Sequence, residues 1–145
     1  MIKISPSDAE WFTNKRNYSL KKLKFLVDIV KIKSNLKEPA VLSVTNAGIR
    51  IKDTVSGKGQ QSLDYSKYQN VEAGDFVMNH MDLLTGYVDI SKFDGVTSPD
   101  YRVFKIRNTK ELLPEYLLKI FQSCYRLKIF YGYGQGVSLY GRWRF

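Results

Sequence analysis

The chain has 145 residues, 43% of them hydrophobic and 14% aromatic, the composition of a folded domain with a core and not of a disordered tail. Lysines and arginines number 23 against 14 acids, a formal charge of +9, which is the electrostatic footprint of a nucleic-acid partner. No apolar run reaches the ~18 residues of a membrane span, and the opening "MIKISPSDAEWF" has no apolar signal core, so a cytoplasmic protein without membrane contact is expected.

After a polar leader over residues 1–18, expected to be partly ordered, "SLKKLKFLVDIVKIK" places Leu20, Leu23, Val27 and Val30 at helical spacing. Its β-branched end suits a strand equally well. "AVLSVT", "NAG" and "IRIKD" read as two strands around a tight turn, with Asn46 and Gly48 able to take positive φ. "VSGKGQQS" is a polar, glycine-bearing loop.

Gly74-Asp75 then punctuates the approach to a buried strand in "VEAGDFVMN". "TGYVDIS" alternates, setting Tyr87, Asp89 and Ser91 on one face and Val88 and Ile90 on the other; "YRVFKIR" alternates with Phe104 and Ile106 inward. Pro114 fits the first turn of a helix, where its missing N–H has no helical partner. That helix, "PEYLLKIFQSCYRLKIF", buries Leu117, Ile120, Phe121 and Cys124 and stops before "YGYGQG". A last strand is expected in "VSLYGRWRF". With no repeat and no internal boundary, residues 1–145 form one compact, strand-rich, mixed α/β domain with a few helices.

Catalytic chemistry is hard to find in these residues. Cys124 and His80 are each the sole residue of their kind, which excludes a disulfide within the chain and the usual metal-ligand sets; Cys124 reads as core. No Gly-x-Ser-x-Gly elbow accompanies His80. Asp75, Asp82, Asp89, Asp94 and Asp100 are spread over strands and turns, where Asp commonly accepts local hydrogen bonds. Ser98-Pro99-Asp100-Tyr101 is one residue from the Ser-Pro-Pro-Tyr loop of adenine-amino methyltransferases. However, Asp100 replaces the rigid second proline, and "YGYGQG" follows a helix where a cofactor cradle follows a strand. The chain is therefore expected not to be an enzyme, and to carry no cofactor or metal.

An ordered series does stand out: Tyr68, Gly74-Asp75, Asn79, Met81, Gly86, Asp94-Gly95, Ser98-Pro99 and Tyr101, followed by the Pro-led helix and the closing "GRWRF". From about Leu20 onward the chain resembles the target recognition domain of type I restriction–modification specificity subunits. The resemblance implies a target-recognition-domain-like fold, double-stranded DNA as ligand, and a role in bacterial defence. It also implies methyltransferase and restriction subunits as partners, to which S-adenosylmethionine, ATP and the methylating loop belong. Within it Gly74, Asp75, Gly86, Asp94, Gly95, Ser98, Pro99 and Tyr101 read as structural, with Ser98 and Asp94 accepting turn N–H groups and Pro99 fixing φ. The sequence contains no heptad-bearing segment long enough for the family's spacer helix, so a single recognition domain, monomeric alone, is expected.

Base edges in the major groove would be read from exposed polar loops. Three qualify: Lys58, Gln60 and Gln61; Asn79, His80 and Asp82; and Tyr133, Gln135 and Ser138, with Tyr131 beside them. Phosphate contacts are expected from Lys15, Arg16, Lys21, Lys22, Arg142 and Arg144, while Lys31 and Lys33 read as a solvated edge. The expected function is recognition of one half of a bipartite DNA target without catalysis. The alternative is a protein-interaction module that occupies the methyltransferase subunit without reading DNA.

Overall fold

A computed structural model of the protein describes residues 21–35, 37–53 and 65–134. The leader, the "VSGKGQQS" loop and the expected closing strand lie outside those residues.

The lysine-rich start does not become a helix. Leu23–Phe25 make one 3-10 turn, and the chain then extends as β1, Val27–Val30. Helical spacing is overridden because Val27, Ile29 and Val30 are β-branched and find a strand partner far along the chain. The tight hairpin expected next is present as β2, Leu42–Thr45, and β3, Gly48–Ile51, with Thr45 opposite Gly48. Gly48 takes φ +102° but Asn46 does not take positive φ. The Thr45 hydroxyl holds the turn, donating to the Gly48 carbonyl at 2.8 Å and accepting from the Ala47 N–H at 3.2 Å.

Short strands follow: β4, Gln69–Val71; β5, Phe76–Met78; β6, Val88–Ile90; β7, Gly95–Thr97; and β8, Arg102–Ile106. Four form an antiparallel sheet in the order β1-β8-β5-β6, with Val30 opposite Val103 and Phe76 opposite Phe104. β4 pairs with β7, and the chain leaving β1 runs on beside β4 through a bridge from Lys33 to Gln69.

Alternation along β5 and β8 sends neighbouring residues to opposite faces. Val77 and Val103 join Leu42, Val44, Ile49 and Val71 under the hairpin. Phe76, Met78 and Phe104 join Val88, Leu117 and Tyr125 under the helices. The inward register expected for Phe104 and Ile106 is present, but Val103 is fully buried as well, because this sheet is covered on both sides. Phe76 and Phe104 stack with ring centroids 4.8 Å apart.

The long helix α1, Pro114–Arg126, begins with Pro114 in its first turn as expected, and ends where Lys128 adopts a left-handed φ of 58°, before the short α2, Ile129–Gly132. Leu117 and Cys124 are buried and Phe121 half-buried against the core. The expectation for Ile120 needs correction, since it is half-buried and faces outward. Tyr125 fills the core in its stead, 3% exposed, with its hydroxyl donating to the Asn79 carbonyl at 2.7 Å. Burial pushes the pKa of that phenol up, as it does the Cys124 thiol.

Several residues of the ordered series serve as joints. Asp75 accepts the Glu72 N–H at 2.9 Å and Asp94 accepts the Ala73 N–H at 2.8 Å. A Cβ on Gly95 would stand 2.4 Å from the Ala40 carbonyl oxygen, where β7 passes close to the lead-in of β2. Asp75 is almost fully enclosed, and burial raises its carboxyl above the ordinary 3.8 although the Glu72 N–H and the Lys105 ammonium, 3.5 Å away, pull the other way. A raised folded-state value means the folded form holds the proton more tightly. The stability this confers is fully present below pH 3.8 and is lost as pH rises through the folded-state value. Asp75→Asn does not titrate and can still accept the Glu72 N–H. Urea midpoints measured across that window are expected to move against the wild type, relative to this variant, as pH rises.

The described residues thus form a strand-rich α/β domain with antiparallel sheets and two helices. Among them, no helix is long and apolar enough to cross a membrane.

Candidate nucleic-acid interface

The segment joining β5 to β6 has a polar sequence but turns its polar atoms inward. Asn79 accepts the Met81 N–H at 3.2 Å through its side chain. Asp82 is 7% exposed, and its carboxylate accepts the N–H groups of Leu84 at 3.1 Å and Thr85 at 2.9 Å, together with the Thr85 hydroxyl. Gly86 closes the turn by donating to the Asp82 carbonyl at 2.8 Å. Of the three proposed readers here, His80 alone lines an open surface, and it is itself only 9% exposed.

That surface is an open groove of about 380 Å³. One side is the run from Ile29 to Lys33, where β1 passes over to β4; the far side is the turn from Pro99 to Tyr101 leading into β8, and Met81 and Lys67 also line the groove. Gln69 fixes the far side, its amide donating to the Ser98 carbonyl at 2.8 Å and the Tyr101 carbonyl at 2.7 Å. Ser98-Pro99-Asp100-Tyr101 is a turn, with the Asp100 N–H on the Ser98 hydroxyl at 3.2 Å and the Tyr101 N–H on the Ser98 carbonyl at 3.1 Å. Tyr101 is half-buried, and burial first, then the negative charge of Asp100, raises its phenol.

Lys31, Lys33, Lys67 and Arg102 rim this groove, all exposed. None of the four pairs with a carboxylate among the described residues. Other cations of the sheet are engaged: Lys105 with Glu72 at 2.6 Å, and Arg107 with Asp28 at 2.7 Å. Among the described residues Asp100 is the one carboxylate lining the groove, and it accepts no hydrogen bond there. The groove can therefore hold an anionic chain against four cations while offering one acceptor to an amino group.

The phosphate candidates fall elsewhere. Lys21 is exposed and paired with Glu111, and Lys22 is exposed beside it. Lys15, Arg16, Arg142 and Arg144 lie outside the described residues, as do Lys58, Gln60, Gln61, Gln135 and Ser138. Tyr133 is 40% exposed at the end of α2, away from the groove. Sequence reasoning missed Lys67 and Arg102 and assigned Lys31 and Lys33 to a plain solvated edge. The available signal was the Lys-Ile-Lys alternation at 31–33, which on a strand puts both lysines on one face.

Among the described residues no group of three or more His, Cys, Asp or Glu side chains is placed to hold a metal ion. Compared with known protein families, with curated proteins and with solved structures, the chain finds no match.

Proposed function

We propose that this domain binds double-stranded DNA, with the groove taking the phosphate backbone, and that it does so as a non-catalytic recognition module. The observation that carries the reading is the gathering of Lys31, Lys33, Lys67 and Arg102 around one open groove, none of them paired with a carboxylate among the described residues. The formal charge of +9 adds a long-range attraction for a polyanion. In a groove otherwise cationic, Asp100 supplies the acceptor chemistry that suits the N4 amino group of cytosine. The finer reading follows the family resemblance: the module selects one half of a bipartite target for a type I restriction–modification assembly, whose other subunits bring S-adenosylmethionine, ATP and the reactions.

The test is a salt titration on mixed-sequence duplexes. Each phosphate neutralised releases counterions and contributes about −0.9 to the slope of log K against log salt, so four groove contacts predict a slope near −3.6 or steeper. Affinity that ignores ionic strength, or is absent at low salt, would move the assignment to a protein-interaction module. Selection from a randomised duplex pool then asks for a short consensus, and a flat pool removes the recognition half of the proposal.

A further inference from the structure

The helix α1 carries more apolar surface than the core uses. Leu117, Phe121, Cys124 and Tyr125 already make its inner face. Beside that face runs a second line, Leu113, Tyr116, Ile120, Ser123 and Leu127, spaced 3, 4, 3 and 4 residues apart in the sequence. Together the two lines cover roughly 200° of the helix, about twice the ~100° stripe that packing on a single layer requires. The outer line is open: Leu113 is 64% exposed, Tyr116 62% and Leu127 64%. Tyr116, Ile120, Ser123 and Leu127, with Lys119, surround a concavity of about 350 Å³.

Alternating steps of three and four are the seam of a coiled coil, in which side chains of a second helix enter the holes between seam residues. On its solvent side the seam is flanked by Lys119 and Arg126, both exposed and one heptad apart. These are the positions that pair across a helix–helix seam and choose the partner by charge.

We propose that this face of α1 docks an amphipathic α-helix from a partner protein, apolar along its seam and flanked by glutamate or aspartate. The charge argues for a foreign helix over a second copy of this chain, because a two-fold antiparallel pairing would set Lys119 and Arg126 against the same cations. It lies apart from the cationic groove, sharing no lining residue with it, and does not depend on DNA binding.

The probe is a labelled 21-residue peptide with leucine at both seam positions of each heptad and glutamate flanking them, compared with the same peptide flanked by lysine. Anisotropy titrations of the full chain are expected to show saturable binding of the glutamate peptide and at least tenfold weaker binding of the lysine one. Tyr116→Asp with Leu127→Asp alters only exposed side chains and is expected to weaken the glutamate peptide at least tenfold. Lys119→Glu with Arg126→Glu is expected to exchange the two preferences, which a mere loss of folding would not do. Equal binding of both peptides, or no binding of either, overturns the proposal. So does concentration-dependent dimerisation in sedimentation that Tyr116→Asp and Leu127→Asp abolish, since the occupant is then a second copy. Adsorption to phosphatidylserine vesicles abolished by the same pair also overturns it, because the face then meets lipid.

Discussion

Among the described glycines, Gly86→Ala is expected to be the most damaging substitution by a single methyl group. A Cβ there would lie 2.0 Å from the Asp82 carbonyl oxygen and 2.6 Å from that of Asn79. Both are backbone atoms held from the other side. Asp82 spends its carboxylate on the N–H groups of Leu84 and Thr85, and the Asn79 carbonyl receives the buried Tyr125 hydroxyl. No flexible side-chain end can yield, so the turn must open and give up those bonds. A cost of about 3 kcal/mol or more follows, a large share of the 5–15 kcal/mol typical of a domain. The melting temperature should fall by roughly 10 °C. Gly74 makes a useful contrast. A Cβ there would meet nothing within 4 Å, but its φ is +98°, so Gly74→Ala pays only for backbone strain, about 1 kcal/mol. Thermal denaturation of the two variants side by side checks the ranking, and equal losses would contradict the packing described around Gly86.

The second large effect concerns charge. Replacing Lys31, Lys33, Lys67 and Arg102 together by glutamine is expected to flatten the salt slope of duplex binding by about 3–4, at 0.9 per lost phosphate contact. Affinity at low salt should fall by roughly a thousandfold as each charge-assisted contact is lost. All four side chains are exposed, and surface substitutions of this kind seldom move stability by more than about 0.5 kcal/mol each. Folding and binding can thus be told apart by recording the melting curve beside the titration. Lys105→Gln with Arg107→Gln is the matched comparison, because those charges are already engaged by Glu72 and Asp28. That pair should change the slope far less. If both sets flatten it equally, the groove is not where phosphates sit.

How much of this was legible in the sequence depends on how local the cause is. The β2–β3 turn and the start of α1 are decided within a few residues, by Gly48 and Pro114, and both stand where sequence places them. The stretch at β1 leaves helical spacing and a β-branched strand equally open, and pairing with residues of β8 decides for the strand. Tyr125 was missed as core because its hydroxyl finds the Asn79 carbonyl, a partner that only the tertiary fold supplies. The candidate site shows the same division. For Asp82 the sequence offers both a local turn acceptor and a base reader, and its carboxylate is used by its own turn. The groove assembles residues from 29–33, 67–69, 80–81 and 99–103, pieces that local spacing does not link and only the fold brings side by side.

The placement of β8 carries a consequence for how the chain comes together. Both cores need it, since Val103 completes one and Phe104 the other, and among the described residues β1 has no partner in its sheet but β8. Closing so long a loop has an entropic penalty before any contact rewards it, which places folding among the slower single domains, in the range of milliseconds to seconds. During synthesis Val27, Ile29 and Val30 emerge long before Ile106 does, an apolar β-branched run waiting for its mate. Lys21, Lys22, Lys24, Lys31 and Lys33 bracket that run, and like charges at its two ends discourage nascent chains from sticking to one another in the interval.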